Sequence, residues 1–141
     1  MSKPRVLVLC TGNSARSQMA EGLLRHRFGD RLDVESAGTQ PSRVRPEAIA
    51  AMAELGIDIS SQRSKHVDEF SGQEFDYVIT VCDHARETCP VFLGQACQLH
   101  RDFPDPADPG ITEAKRMQRF REVRDSLADY LADFAGSRIQ R

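Results

Sequence analysis

No apolar run in this chain is long enough to span a membrane or to act as a secretory leader. The start, MSKPRVLVLC, carries only Val6, Leu7, Val8 and Leu9 before Cys10, so a cytoplasmic location is the expectation. Neither sign of charge is in excess: 19 Lys and Arg stand against 21 Asp and Glu, a net charge of −2. That balance argues against broad binding to nucleic acid or to an anionic membrane. No internal repeat, low-complexity tract or linker interrupts residues 1–141, which read as one domain. No CxxC pair occurs, and Cys82, His84, Cys89 and Cys97 fit no common zinc spacing.

What is present begins with VLVLCTGNSARS, residues 6–17. Four apolar residues read as a buried parallel strand, with Cys10 at its end. Thr11, Gly12, Asn13, Ser14 and Ala15 turn the chain, and Arg16 and Ser17 enter a helical pattern. A tight loop of small residues can aim its N–H groups at one point, and a helix N-terminus adds its own donors and dipole. Gly12 and Asn13 best accept positive φ. Arg16 can grip two oxygens in a fork. The loop therefore reads as a cradle for a tetrahedral oxyanion. The same field favours a thiolate at Cys10, and Ser17 is placed to donate a hydrogen bond to that sulfur. The plainer reading is a core cysteine followed by a solvated arginine.

Along the chain, helix 1 is predicted over 15–28, with Met19, Ala20, Leu23, Leu24 and Phe28 inward. A strand over 32–37 follows, then a polar loop over 38–45. Pro46 opens helix 2, with Ala48, Ile49, Met52, Ala53 and Leu55 inward and Gly56 at its end. Residues 57–72 read as a polar loop with one helical turn at 67–70. Strands are predicted over 75–81 and 97–101, Cys97 being a buried strand residue, and a long helix over 112–134. Strands alternating with helices imply an α/β fold in three layers, with a four-stranded parallel sheet of order 2-1-3-4. The carboxyl edge of such a sheet binds ligands. Cys10, Cys82 and the loop FPDPADPG, residues 103–110, all fall there.

Asp105 in that loop can act as a general acid. It can equally be a turn former, and Asp102 and Asp108 compete with it. Cys82 and Cys89 flank a short polar segment. If that segment is helical, the two are about 10 Å apart along the axis, whereas a disulfide needs Cα atoms roughly 4.4–6.8 Å apart. Bridging them requires the segment to melt, which suits a redox switch; two unrelated thiols are the alternative. His26, His66 and His100 read as surface or packing residues, and His84 is a weak candidate for tuning Cys82.

With these residues in place the chain resembles the thioredoxin-coupled arsenate reductases built on the low-molecular-weight protein tyrosine phosphatase fold. The likeness runs from Arg5 into the last helix and rests on CTGNSARSQMAEG, ESAGT, FDYVITVCDHARETCP and DPADP. The resemblance implies three thiols in relay. Cys10 attacks arsenate while Asp105 protonates the departing oxygen. Cys82 resolves the adduct, Cys89 resolves Cys82, and thioredoxin reduces the Cys82–Cys89 bond as external reductant, with no bound cofactor. Some members hold potassium through residues matching Asn13, Glu21 and Ser36 and a carboxylate. Lys65 stands at that carboxylate's place, so no metal is expected here. Some members carry another cysteine where this chain has Ala15. The rival is a tyrosine phosphatase using Cys10, Arg16 and Asp105. Such enzymes line the pocket mouth with aromatics, which GTQPSRVRPEA lacks. A non-turnover oxyanion sensor or phosphoryl carrier is a rival from another class.

Overall fold

The strand that ends in Cys10 lies inside a four-stranded parallel sheet of order β2-β1-β3-β4. The computed structural model describes residues 3–82, 96–107 and 110–139. Their elements are β1 (Arg5–Cys10), α1 (Arg16–Phe28), β2 (Asp33–Gly38), α2 (Pro46–Ala53), a 3-10 turn (Val67–Phe70), β3 (Tyr77–Thr80), β4 (Cys97–His100) and α3 (Glu113–Arg138). The order is the one expected from the sequence.

β1 pairs with β2 from Arg5↔Asp33 to Cys10↔Gly38, and with β3 from Val6↔Tyr77 to Leu9↔Thr80. β3 pairs with β4 from Tyr77↔Cys97 to Thr80↔His100. Val6, Leu7, Val8 and Leu9 are wholly buried, as an unbroken apolar strand requires when both its faces are covered. Each such side chain contributes roughly 1.5–3 kcal/mol through burial. The chain leaves β1 toward β2 on one side, and β3 lies on the other. The gap between β1 and β3 is therefore the switch point, where side chains and loops diverge and a ligand has room. Cys10 ends one of those strands. Cys82 follows the other by two residues.

α1 packs on β1, β2, α2 and α3. It is buried all round from Ser17 to Leu24, not along a stripe alone. Gly22 permits this closeness, since a Cβ there would lie 2.6 Å from Ile59 Cγ2. In α2 the buried residues are Ala48, Ala51 and Met52. Ala53, expected inward, is exposed, and Ile49 and Leu55 are half-buried. The helix is only eight residues long, and its narrow buried stripe leaves Ala53 on the outer side. α3 runs a turn past the predicted end. Ala135 and Ile139 extend its buried stripe, and Tyr77 Oη donates to the Arg138 carbonyl at 3.3 Å. Thr112 caps its start by accepting from Lys115 N.

Two expectations are overturned. Cys97 is exposed and takes a hydrogen bond from Arg138 Nη1 at 3.3 Å. It begins a strand whose first two residues, Cys97 and Gln98, face solvent. Residues 57–72 are more than a polar loop: Ile57, Ile59, Lys65, Val67 and Phe70 are buried. Their apolar positions are too irregular to give a period, although each finds the core.

Candidate active site

The turn from Cys10 to Arg16 is shaped by the fate of its carbonyls. The Thr11 carbonyl accepts from Gln40 N at 2.9 Å, that of Gly12 from Ser42 N at 3.1 Å, and that of Ser14 from Arg45 N at 2.9 Å. Ser64 Oγ also donates to the Gly12 carbonyl at 3.0 Å, and Gln18 Nε2 to that of Asn13 at 3.1 Å. In a planar trans peptide the C=O and the following N–H point opposite ways. Fixing four successive carbonyls outward therefore turns the N–H groups of residues 12–15 away from those partners, as a nest demands. Asn13 supplies the sharp bend at φ 46°. It is the position where positive φ is used; Gly12 does not need it.

Asn13 is also the hub of the surrounding network. Its Nδ2 donates to Ser17 Oγ at 2.8 Å and to Ser36 Oγ at 3.0 Å, and its Oδ1 accepts from Lys65 N at 2.8 Å. Gln18, wholly buried, holds both Asn13 oxygens and reaches the Arg63 carbonyl. Gln62 in turn donates to Gln18 Oε1 at 2.8 Å. Residues 62–65 thus form a strap behind the loop. Gln18, Gln62 and Ser64 had no sequence signal beyond their polarity. Gly38 had one, the ESAGT stretch. It faces Cys10 across the β1–β2 pairing. A Cβ there would lie 2.5 Å from the Thr11 carbonyl oxygen and 2.9 Å from Asn13 N. Both are backbone atoms with little freedom to retreat.

α1 begins directly after the loop with no acidic residue in its first turn and no side-chain cap. Its N-terminal donors and dipole are therefore open to an anion. Arg16 leaves this turn and donates Nη1 to the Phe103 carbonyl at 2.9 Å. That bond ties the loop after β4 to the oxyanion loop. Phe103 N reaches the Val81 carbonyl at 3.1 Å, and Phe103 is buried. Asp105, two residues on, is exposed, and its Oδ1 accepts from Ala107 N at 2.9 Å. That bond closes a local turn, and the loop that carries Asp105 is anchored to Arg16. Asp108 lies outside the described residues.

Cys10 and Cys82 are both buried. Val81 N donates to the Leu9 carbonyl at 3.0 Å, so the ladder between the strands continues to the two cysteines. Thr11 Oγ1 lies 3.3 Å from Cys82 Sγ, which sets Cys82 against the residue that follows Cys10. The expected thiolate at Cys10 is not what this arrangement favours. The neighbouring Cys82 side chain, and then burial, hold the Cys10 thiol well above its ordinary range, against the opposing pull of Arg16. Ser17, expected to donate to the Cys10 sulfur, accepts from Asn13 Nδ2 through its Oγ. Cys89 and His84 lie outside the described residues.

The potassium ligand set is also present in altered form. Glu21 Oε1 accepts from Ser36 Oγ and lies 3.7 Å from Lys65 Nζ. Its other oxygen is paired with Arg25. Lys65 Nζ also donates to the Arg63 carbonyl at 3.2 Å. A buried ammonium thus stands among these oxygens, and Glu21 already has two cationic partners. A potassium ion would meet a like charge there, so the cradle does not fit one.

The model of the low molecular weight phosphotyrosine protein phosphatase family matches residues 5–141. An arsenate reductase of Halalkalibacterium halodurans is 43% identical over 135 residues, which are 96% of this chain and 97% of that protein. A solved arsenate reductase in the phosphate-binding state superposes with a TM-score of 0.82 at 32% identity, over 95% of this chain and 98% of that one. A thioredoxin-dependent arsenate reductase of Corynebacterium glutamicum superposes with a TM-score of 0.71 at 27% identity, over 96% of this chain and 64% of that one. With its sheet order, its cysteine-to-arginine turn and these relatives, the chain belongs to the low molecular weight phosphotyrosine protein phosphatase family, among that family's arsenate reductases.

Proposed function

We propose that this protein reduces arsenate to arsenite through a relay of three thiols, with thioredoxin as external reductant and no bound cofactor. The observation that carries the reading is the Cys10–Cys82 pair, two buried thiols at the ends of neighbouring strands, with Thr11 of the oxyanion loop 3.3 Å from the Cys82 sulfur. A phosphatase needs the first thiol but has no use for the second.

Arsenate seats on the N–H groups of the loop, with Arg16 turning its fork to two oxygens. Cys10 attacks arsenic as a thiolate, and Asp105 gives its proton to the departing oxygen, which leaves as water. Cys82 then attacks the Cys10 sulfur. The S–As electron pair stays on arsenic, which departs as arsenite, and a Cys10–Cys82 disulfide remains. Cys89 attacks Cys82, frees Cys10 and forms the disulfide that thioredoxin reduces. A cytoplasmic location suits a chemistry that starts from free thiols. The family and the shared oxyanion loop also favour a residual phosphatase activity on phosphate esters, which needs only Cys10, Arg16 and Asp105.

The test is Cys89→Ser. It should complete one turnover and stall as a Cys10–Cys82 disulfide, identified by mass spectrometry, while any phosphatase activity persists. Sustained turnover of this variant with thioredoxin, its reductase and NADPH would sink the relay.

A further inference from the structure

Cys10 and Cys82 are more than successive participants in a reaction. They are two buried thiols at the ends of neighbouring strands, beside a loop shaped for a small oxyanion. We propose that the reduced Cys10–Cys82 pair is itself a binding site for trivalent arsenic, taking up arsenite as a cyclic dithiolate. The proposal rests on the arsenate-reductase reading for its ligand and goes beyond it in what the site does after product has left.

The chemistry balances without an oxidant. Arsenite at neutral pH is the uncharged acid As(OH)3. Each thiol sulfur forms one bond to arsenic, each displaces one hydroxyl, and each thiol proton leaves with that hydroxyl as water. Arsenic keeps one hydroxyl and remains trivalent. Trivalent arsenic is soft and prefers sulfur, as other soft centres do. Once the first S–As bond has formed, the second closes within the same site, which raises affinity by roughly 10²–10⁴ over a lone thiol. The structure supplies what closure needs. The continuing Leu9–Val81 ladder holds the two chains together, Thr11 Oγ1 holds the Cys82 sulfur at 3.3 Å, and both cysteines are buried. Arg16 and the nest suit a charged oxyanion and contribute little to an uncharged one.

The relay sets when this site is open. The step that releases arsenite also joins Cys10 to Cys82, so the site is closed to its own product at that moment. It reopens only after reduction, when arsenite and the next arsenate compete for Cys10. Arsenite becomes an inhibitor of the regenerated enzyme, competitive with arsenate.

The test titrates the fully reduced protein with sodium arsenite under argon, reading reactive thiols and the near-ultraviolet absorption of As–S bonds. Two of the four thiols should be lost and then restored by a competing small dithiol. Cys10→Ala and Cys82→Ala should each weaken uptake by about 100-fold or more, with thermal melting confirming that both fold. Cys97→Ser, Cys89→Ser and Arg16→Lys should take up arsenite as the parent does. Equal uptake by Cys82→Ala, or loss in Cys89→Ser, overturns the site. Thiol loss on adding arsenate, with no uptake of arsenite, also overturns the site and leaves the reductase reading standing. Arsenite uptake with no arsenate-driven thiol loss keeps the site and sinks that reading instead.

Discussion

The oxyanion loop and the loop after β4 meet where Arg16 donates to the Phe103 carbonyl, and they are held in opposite ways. Around Asn13 nearly every polar atom is committed, and the carbonyls of residues 11–14 are fixed by partners from three other segments. Beyond Phe103 the loop after β4 is exposed at Pro104 and Asp105, and among the described residues Asp105 bonds locally, to Ala107. The difference suits the chemistry proposed for each. Donors that stabilise a developing charge act best when they need not move. A general acid has to approach, release a proton and recover one, and an apo geometry can be looser than the reacting one.

The sharpest way to break this contrast is Gly38→Ala. The added Cβ meets backbone of the oxyanion loop, so the loop itself must shift. Overpacking of this kind costs about 3 kcal/mol, and displaced oxyanion donors should lower turnover by roughly 10³-fold. Thermal melting and steady-state kinetics check both. The same change at a solvent-facing glycine such as Gly136, with nothing near its Cβ, should be nearly silent.

Asp105→Asn probes the lightly held side. Formation of the Cys10 adduct should slow by roughly 10²-fold, while phosphate competes for the pocket as in the parent. A rapid-quench measurement of the first step separates the two. If phosphate affinity falls as well, the acid loop shapes the oxyanion site and the contrast fails.

Gln18→Met keeps the volume of the side chain but removes the grip on both Asn13 oxygens. Gln18 acts through Asn13, so it is a positioning residue. The KM for arsenate should rise by about tenfold or more, since the loss of even one of these buried hydrogen bonds costs that much, with a smaller change in kcat. A purely structural role would lower the melting temperature and leave KM alone.

The smallest effect concerns proton affinity. Cys82 is the largest cause of the raised Cys10 thiol, so Cys82→Ala should move it down. At any pH below that range the thiolate fraction then grows, and iodoacetamide should alkylate Cys10 faster in the variant. An unchanged pH profile would mean that burial alone sets the thiol.

Residues 6–17 by themselves announced a strand, a tight turn and a helix, because an apolar run, a cluster of small polar residues and an amphipathic pattern are local facts. Alternation of strands and helices was enough for the sheet order, since crossover rules leave few topologies. The positions of Cys10, Cys82 and Asp105 at one edge followed from that order. The protonation of Cys10 did not. A loop next to arginine reads as acidifying until the second thiol is seen beside it, and that neighbour comes from 72 residues away in the chain. The strap at 62–65 was equally out of reach, and the ESAGT stretch marked Gly38 without giving the close approach that demands it. Their hydrogen bonds and close approaches join segments with no period in common, and Cys97 is exposed because its strand opens outward at its start. Sequence determined what each segment was able to form. Tertiary packing decided which polar atoms were spent on each other, and how firmly Cys10 holds its proton.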